Sequence, residues 1–177
     1  MKQQINSNAL SVIHNRKSVR NFTGEPVTEM ELDVLLKAAM AAPSAVNCQP
    51  WEFIVVTERR TLDALGDALP YAKMIYKAGA AIVVCGVPAN AHKQMLEYAV
   101  IDSSLASQNL LLAAESIGLG AIWTAAYPYP DRMESVRTIL QIPSDIIPLN
   151  VIPIGHPTGA DQFKDKFNPE KIHKEAW

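Results

Sequence analysis

Cysteine is scarce in this chain. Only Cys48 and Cys85 occur, far apart and outside any Cys-x-x-Cys pair. Neither a disulfide framework nor a cysteine zinc site is expected, and a reducing, cytoplasmic setting is the default. Long apolar runs are also missing. The longest, such as residues 80–87, falls well short of the roughly 20 residues of a membrane span. The start, Met1-Lys2-Gln3-Gln4, is polar and no apolar core follows it, so export is not expected. Charge of one sign is not in excess: 16 Lys and Arg face 18 Asp and Glu, for a formal net charge of −2. Non-specific binding to nucleic acid or to a membrane surface is therefore not indicated. Several motifs are absent too. Gly118-Leu119-Gly120-Ala121-Ile122-Trp123 lacks the third glycine of a dinucleotide fingerprint and follows a helical pattern rather than a strand. No P-loop, Gly-x-Ser-x-Gly or His-Glu-x-x-His occurs. His14, His92, His156 and His173 are scattered and read as structural or exposed, so no metal site is expected.

What is present fits one domain over residues 1–177, since 49% hydrophobic residues in 177 supply a real core. A short amphipathic helix is expected over residues 9–15. Thr28-Glu29-Met30-Glu31 has the form of a capping box and leads into Leu32, Leu35, Leu36 and Ala39 at helical spacing. That helix must stop before Pro43. Residues 51–57 read as a strand, 58–68 as a helix and 80–87 as a strand buried on both faces. Residues 91–117 form the longest helical pattern, apolar almost all round and rich in Ala and Ser, ended by Gly118 and Gly120. A strand over 121–124, a helix over 131–140 and a strand over 149–154 follow. Residues 155–177 form an extension with many charges, few aliphatics and the aromatics Phe163, Phe167 and Trp177. Such a segment suits a surface, a partner subunit's included, better than its own core. Helices alternating with strands give an α+β or α/β sandwich.

Two segments carry chemistry. Arg16-Lys17-Ser18-Val19-Arg20 places a dense group of cations and a hydroxyl in a chain with no positive charge to spare. An anion such as phosphate is one reason, because the arginine fork suits phosphate oxygens. A helix C-terminus, whose dipole favours cations, is the other. The second segment, residues 42–51, sets Ser44, Asn47 and Gln49 on a backbone stiffened by Pro43 and Pro50. It can hold donors and acceptors at fixed positions against a heterocycle, or it is an ordinary turn. Cys48 lies inside it and reads as a reactive thiol or, with better odds, a small buried residue.

Arg16-Lys17-Ser18-Val19-Arg20-Asn21-Phe22 closely resembles the opening signature of the nitroreductase family of flavin enzymes. Pro43-Ser44-Ala45-Val46-Asn47-Cys48-Gln49-Pro50-Trp51 resembles that family's second signature. The similarity continues through Gly118-Leu119-Gly120-Ala121-Ile122-Trp123 and Ile154-Gly155-His156-Pro157 into Lys164-Asp165-Lys166-Phe167, in order along nearly the whole chain. The resemblance implies a three-layer α/β/α sandwich with a mixed central sheet and a C-terminal tail extending over the partner subunit. It implies a homodimer with non-covalent FMN at the subunit interface. Arg16 and Ser18 would hold the phosphate, with Lys17 nearby, and Arg20 would face the pyrimidine ring. Pro43, Ser44, Ala45 and Asn47 would complete the partner's pocket. Trp123, Thr124 and Ala125 would pass alongside the isoalloxazine, with the Ala125 N–H near N5, and Lys164 and Lys166 would return to the phosphate. Many relatives have arginine at the places of Lys17 and Lys166, and lysine keeps the charge without the bidentate fork.

By the same resemblance, NAD(P)H reduces the flavin in a ping-pong scheme and a nitroaromatic, quinone or similar small acceptor reoxidises it. No catalytic side chain is expected. Related chemistries on this scaffold, reductive dehalogenation and flavin oxidation, usually bring an added lid. The only candidate lid here is residues 69–77, with Tyr71, Lys73 and Tyr76. A non-enzymatic FMN-binding module would share every binding motif.

Overall fold

The computed structural model describes residues 7–177, with side chains from residue 9 onward. The polar start Met1-Lys2-Gln3-Gln4 lies outside the described residues. Helix α1 spans Ser7–Asn15. Helix α2, Glu29–Met40, opens on the expected capping box: Thr28 Oγ1 accepts the Glu31 N–H, and the Glu31 carboxylate accepts the Thr28 N–H at 2.8 Å. These bonds, the backbone one foremost, hold the Glu31 carboxyl below its ordinary value. Strand β1 is Trp51–Val56, α3 is Arg59–Ala68 and β2 is Ala80–Gly86. Helix α4, Leu96–Ser116, starts later than its apolar pattern implies. The preceding residues form two 3₁₀ turns, Pro88–Asn90 and His92–Gln94, and Lys93 takes a φ of 54° that a continuous right-handed helix excludes. Strands β3 (Gly120–Ala121) and β4 (Thr124–Ala125), helix α5 (Pro130–Leu140) and strand β5 (Ile147–Gly155) complete the fold.

The sheet runs β1-β2-β5-β3, and β4 also pairs with β5. Every strand pair is antiparallel, with Ile82 opposite both Val55 and Ile152, and Ala121 opposite Ile154. Among the described residues, parallel pairing is confined to an isolated bridge between Ser18 and Ala121, so the sheet is less mixed than expected. Strand β2 is buried at every position, which accounts for its unbroken apolar run. Its alternate side chains feed two cores. Ala80, Ile82 and Val84 pack with Leu35 of α2 and Leu110 of α4. Ala81, Val83 and Cys85 pack with Leu62 and Leu65 of α3 and Val136 of α5. The result is a three-layer α/β/α sandwich of the α+β class. Burial, with a smaller push from Glu52, drives the Cys85 thiol up to about 12. No described helix is long and apolar enough to cross a membrane.

Candidate functional site

The cationic run is stitched to the open edge of the sheet. The Arg16 N–H still bonds to the Val12 carbonyl, so the run leaves α1 directly. Val19 is buried, and its N–H donates to the Ala121 carbonyl at 3.1 Å. Gly120 makes room for it: a Cβ at Gly120 would lie 2.5 Å from Val19 Cγ1. Gly118, at φ +81°, turns the chain out of α4 to reach that edge. Phe22 is the second anchor, buried and bridged to Pro157. On either side of it, Thr23 N–H donates to the His156 carbonyl and Thr158 N–H to that of Asn21, both at 2.9 Å. With Val19 and Phe22 held inward, Arg16, Lys17 and Ser18 are left half-exposed and Arg20 exposed.

Asp161 ties the C-terminal segment to this run, and no local signal marked it. Its Oδ2 accepts the N–H groups of Arg20 and Asn21, each at 3.0 Å, and its Oδ1 accepts Asn21 Nδ2 at 3.1 Å. Burial works against the Asp161 carboxylate. The three hydrogen bonds and the Arg20 charge outweigh it and hold its pKa below the ordinary value. The chain then brings Gln162, Lys164 and Lys166 round to face Arg16, Lys17, Ser18 and Arg20 across a cavity of about 160 Å³.

Among the described residues, no carboxylate lines that cavity. Lys17 is partly engaged elsewhere, 3.8 Å from Glu115 near the end of α4. Arg16, Arg20, Lys164 and Lys166 make no ion pair with any described carboxylate. Glu115 and Asp161 offset only part of this charge, at Lys17 and Arg20, and the remaining cations repel one another, so the geometry suits a multiply charged anion. The half-exposed Ser18 adds a neutral donor. A phosphate monoester fits this donor set in charge and size.

Arg20 also lines a neighbouring cavity of about 480 Å³, with Asn21, Phe22, Tyr71, Lys73, Met74, Lys77 and Thr158. The segment that read as a candidate lid is a wall of this cavity. Leu69, Ala72 and Ile75 are fully buried. The Arg59 guanidinium donates to the carbonyls of Ile75 and Tyr76 at 3.1 Å each, and to that of Ala78. Its tip, Tyr71, projects into solvent, 85% exposed at φ 63°.

The remaining sequence-predicted residues sit elsewhere. Pro43, Ser44, Ala45 and Asn47 lie on the turn between α2 and β1, tied to α4 through the Ala45 N–H, and do not line the cationic cavity. The turn is strained: Val46, Asn47 and Gln49 all have φ between 51° and 59°, a region costly for a β-branched residue such as Val46. It is braced by Gln49 N–H to Ser44 Oγ at 2.9 Å and Ala45 N–H to Asp102 Oδ2 at 3.1 Å. Cys48, within it, is half-buried. Thr124 and Ala125 form β4 against β5, and Trp123 packs on the α2/α4 core; they do not line that cavity either.

The sequence model described as the Nitroreductase family matches residues 13–70 and 66–156. A protein of Methanothermobacter thermautotrophicus that carries the name NADH dehydrogenase/NAD(P)H nitroreductase is 43% identical over 168 residues, spanning 95% of this chain and 87% of that protein. The FMN reductase (NADPH) of Bacillus subtilis is 29% identical over 189 residues, spanning 96% of this chain and 74% of that protein. A crystal structure from Parabacteroides distasonis, with the same name as the Methanothermobacter protein, superposes with a TM-score of 0.91 at 50% identity, covering 96% of this chain and 98% of the other. Match, identity and superposed fold agree along the chain: it belongs to the nitroreductase family.

Proposed function

We propose that this chain is an FMN-dependent oxidoreductase that uses NAD(P)H to reduce nitroaromatics, quinones or similar acceptors. The observation that carries this reading is the cavity where Arg16, Ser18, Lys164 and Lys166 converge with no carboxylate among them. Bound there, FMN would supply a reversible two-electron carrier, which no side chain of the chain provides. Arg16, Ser18, Lys164 and Lys166 hold its phosphate non-covalently. Lys17 adds charge at longer range while engaged with Glu115. Arg20, shared by the two cavities, sits at the ring end and favours negative charge there. Names among the relatives point the same way, the FMN reductase (NADPH) of B. subtilis above all. An open pocket without a dinucleotide fingerprint suits a ping-pong scheme, in which the donor leaves before the acceptor enters.

The working unit is a homodimer of single-domain subunits in the cytoplasm. Two observations support the dimer. First, Pro43, Ser44, Ala45 and Asn47 do not line this chain's own cationic cavity, so their service to FMN would be to the cavity of a second copy. Second, large apolar side chains remain exposed on helices that contact one another: Ile13 on α1, Met30 and Val34 on α2, and Ile101 (54%) and Leu105 on α4. Phe163, Phe167 and the wholly exposed Trp177 leave the C-terminal extension with aromatics that have no home in their own subunit. Trp123, Thr124 and Ala125, on the sheet edge beside β5, would flank the ring.

The visible spectrum of natively purified protein, before and after addition of NADH and NADPH, tests this reading. Yellow protein with one FMN per subunit, bleached by either nicotinamide and restored by a quinone, is expected. Colourless protein that takes up no FMN would overturn it. FMN that neither nicotinamide bleaches would mark a flavin-binding module instead. A sedimenting monomer that holds FMN tightly would contradict the shared pocket.

A further inference from the structure

Asp102 is a carboxylate in the middle of α4, 2% exposed, with no cation within ion-pair distance among the described residues. Burying an unpaired carboxylate is costly unless something compensates it. Among the described residues, its one hydrogen bond is from the Ala45 N–H to Oδ2, at 3.1 Å. That bond enters the turn just ahead of its strained residues, Val46 at φ 52° and Asn47 at φ 59°. The next residue of α4, Ser103, is also buried and directs its hydroxyl to the Pro50 carbonyl at 3.4 Å. Adjacent α4 residues thus hold both ends of the 45–50 turn. The connection runs deeper. Ser107 Oγ donates to the Ser103 carbonyl at 2.8 Å, and Asn150 Nδ2 on β5 donates to Ser107 Oγ at 2.9 Å. Asn150 lies opposite Ala125 of β4 in the sheet.

We propose that Asp102 is a positioning residue for the flavin pocket. Its carboxylate fixes the Ala45 N–H and so keeps the strained turn in the one conformation that presents Ser44, Ala45 and Asn47 to the FMN of the neighbouring subunit. The inference rests on the FMN reading above. A turn with several left-handed non-glycine residues relaxes unless its surroundings over-determine it; the Gln49 N–H to Ser44 Oγ bond braces it from within, and the Asp102 bond fixes it to the helix.

The test compares Asp102→Ala, which removes the acceptor, with Asp102→Asn, which keeps an oxygen in its place. FMN affinity by flavin fluorescence, circular dichroism of the bound flavin band, and amide hydrogen exchange across residues 43–50 are the readouts. Asp102→Ala is expected to weaken FMN about tenfold or more, alter the flavin dichroism and speed exchange at Ala45. Asp102→Asn should recover most of the affinity. Ala45→Pro is the second variant should Asp102→Ala not fold. Ser44 already has the extended backbone a following proline demands (φ −141°, ψ 156°), and the first position of a helical turn accepts proline. It deletes the donor without touching α4, and a loss like that of Asp102→Ala is expected. Folded Asp102→Ala with wild-type affinity and unchanged exchange, or Ala45→Pro with wild-type affinity, overturns the proposal. If the wild type itself takes up no FMN, the functional reading falls separately. Exchange at Ala45 then still decides whether Asp102 holds the turn: faster in Asp102→Ala supports it, and unchanged overturns it.

Discussion

Val19 occupies the space that Gly120 leaves by having no side chain: a Cβ there would stand 2.5 Å from Val19 Cγ1 and 2.8 Å from its Cβ. The contact is between a strand-edge glycine and the centre of the cationic run, so packing and the proposed ligand site share one position. Gly120→Ala would have to push Val19 outward, and with it Ser18 and Arg20. Overpacking of this kind costs about 1–3 kcal/mol. Thermal unfolding should show that loss, and FMN titration of the folded variant should show weaker binding. Gly118→Ala meets no atom within 4 Å but needs φ +81°, so it should destabilise through the backbone and leave the Val19 contact intact.

Arg16 and Lys17 are neighbours with different partners. Lys17 lies 3.8 Å from Glu115, whereas Arg16 faces the cavity unpaired. Arg16→Ala should weaken FMN by about 10- to 100-fold, the loss of charge-assisted hydrogen bonds. Lys17→Ala should cost about threefold or less, because a half-exposed ion pair is worth little. Isothermal titration at low and moderate salt checks both, with wild-type affinity falling as ionic strength rises. Equal losses in the two variants would contradict this division.

Asp161 couples its ionisation to the shape of the cationic cavity. Its folded pKa is depressed, so its contribution to stability is present above the unfolded value of about 3.9 and is lost as pH falls through the folded value. Wild-type protein should therefore lose its stability advantage over Asp161→Asn as pH drops below about 4. At neutral pH Asp161→Asn should weaken FMN, because the segment carrying Lys164 and Lys166 is less firmly tied. Denaturation at stepped pH, with FMN titration at pH 7, measures both.

Cys85 shows the opposite sign. Its folded pKa is raised to about 12 by burial, so its stabilising contribution is complete below the unfolded value of about 8.5 and is lost as pH rises toward 12. Cys85→Ala should flatten the alkaline limb of the stability curve while leaving a small cavity. In Cys48→Ala protein the remaining thiol should resist a thiol reagent at pH 8 until the chain is unfolded. Rapid labelling of native Cys48→Ala would contradict the burial.

The layers were legible in the sequence because their causes are local. The Thr28–Glu31 capping box, the unbroken apolar run of β2 and the glycine end of α4 each act over a few residues, and each recurs in the structure. The start of α4 was misplaced because apolar spacing carries on through Ala91–Met95, while the left-handed backbone of Lys93 leaves no trace in hydropathy. How residues 69–77 are held was not legible for a related reason: the anchor is Arg59, on another element.

By itself the sequence marked the residues proposed to hold the flavin: side-chain type and short spacing single out the cations of the opening run and the proline-bracketed turn, and the family resemblance adds the lysines of the tail. Only the tertiary structure decided which of them meet. Arg16, Lys17, Ser18 and Arg20 face Lys164 and Lys166 because Asp161 bonds to Arg20 across 141 residues. The 43–51 turn is held from α4 by a bond spanning 57. Hydrogen bonds over such separations depend on where the folded layers bring two backbones together, and no periodicity along the chain encodes them.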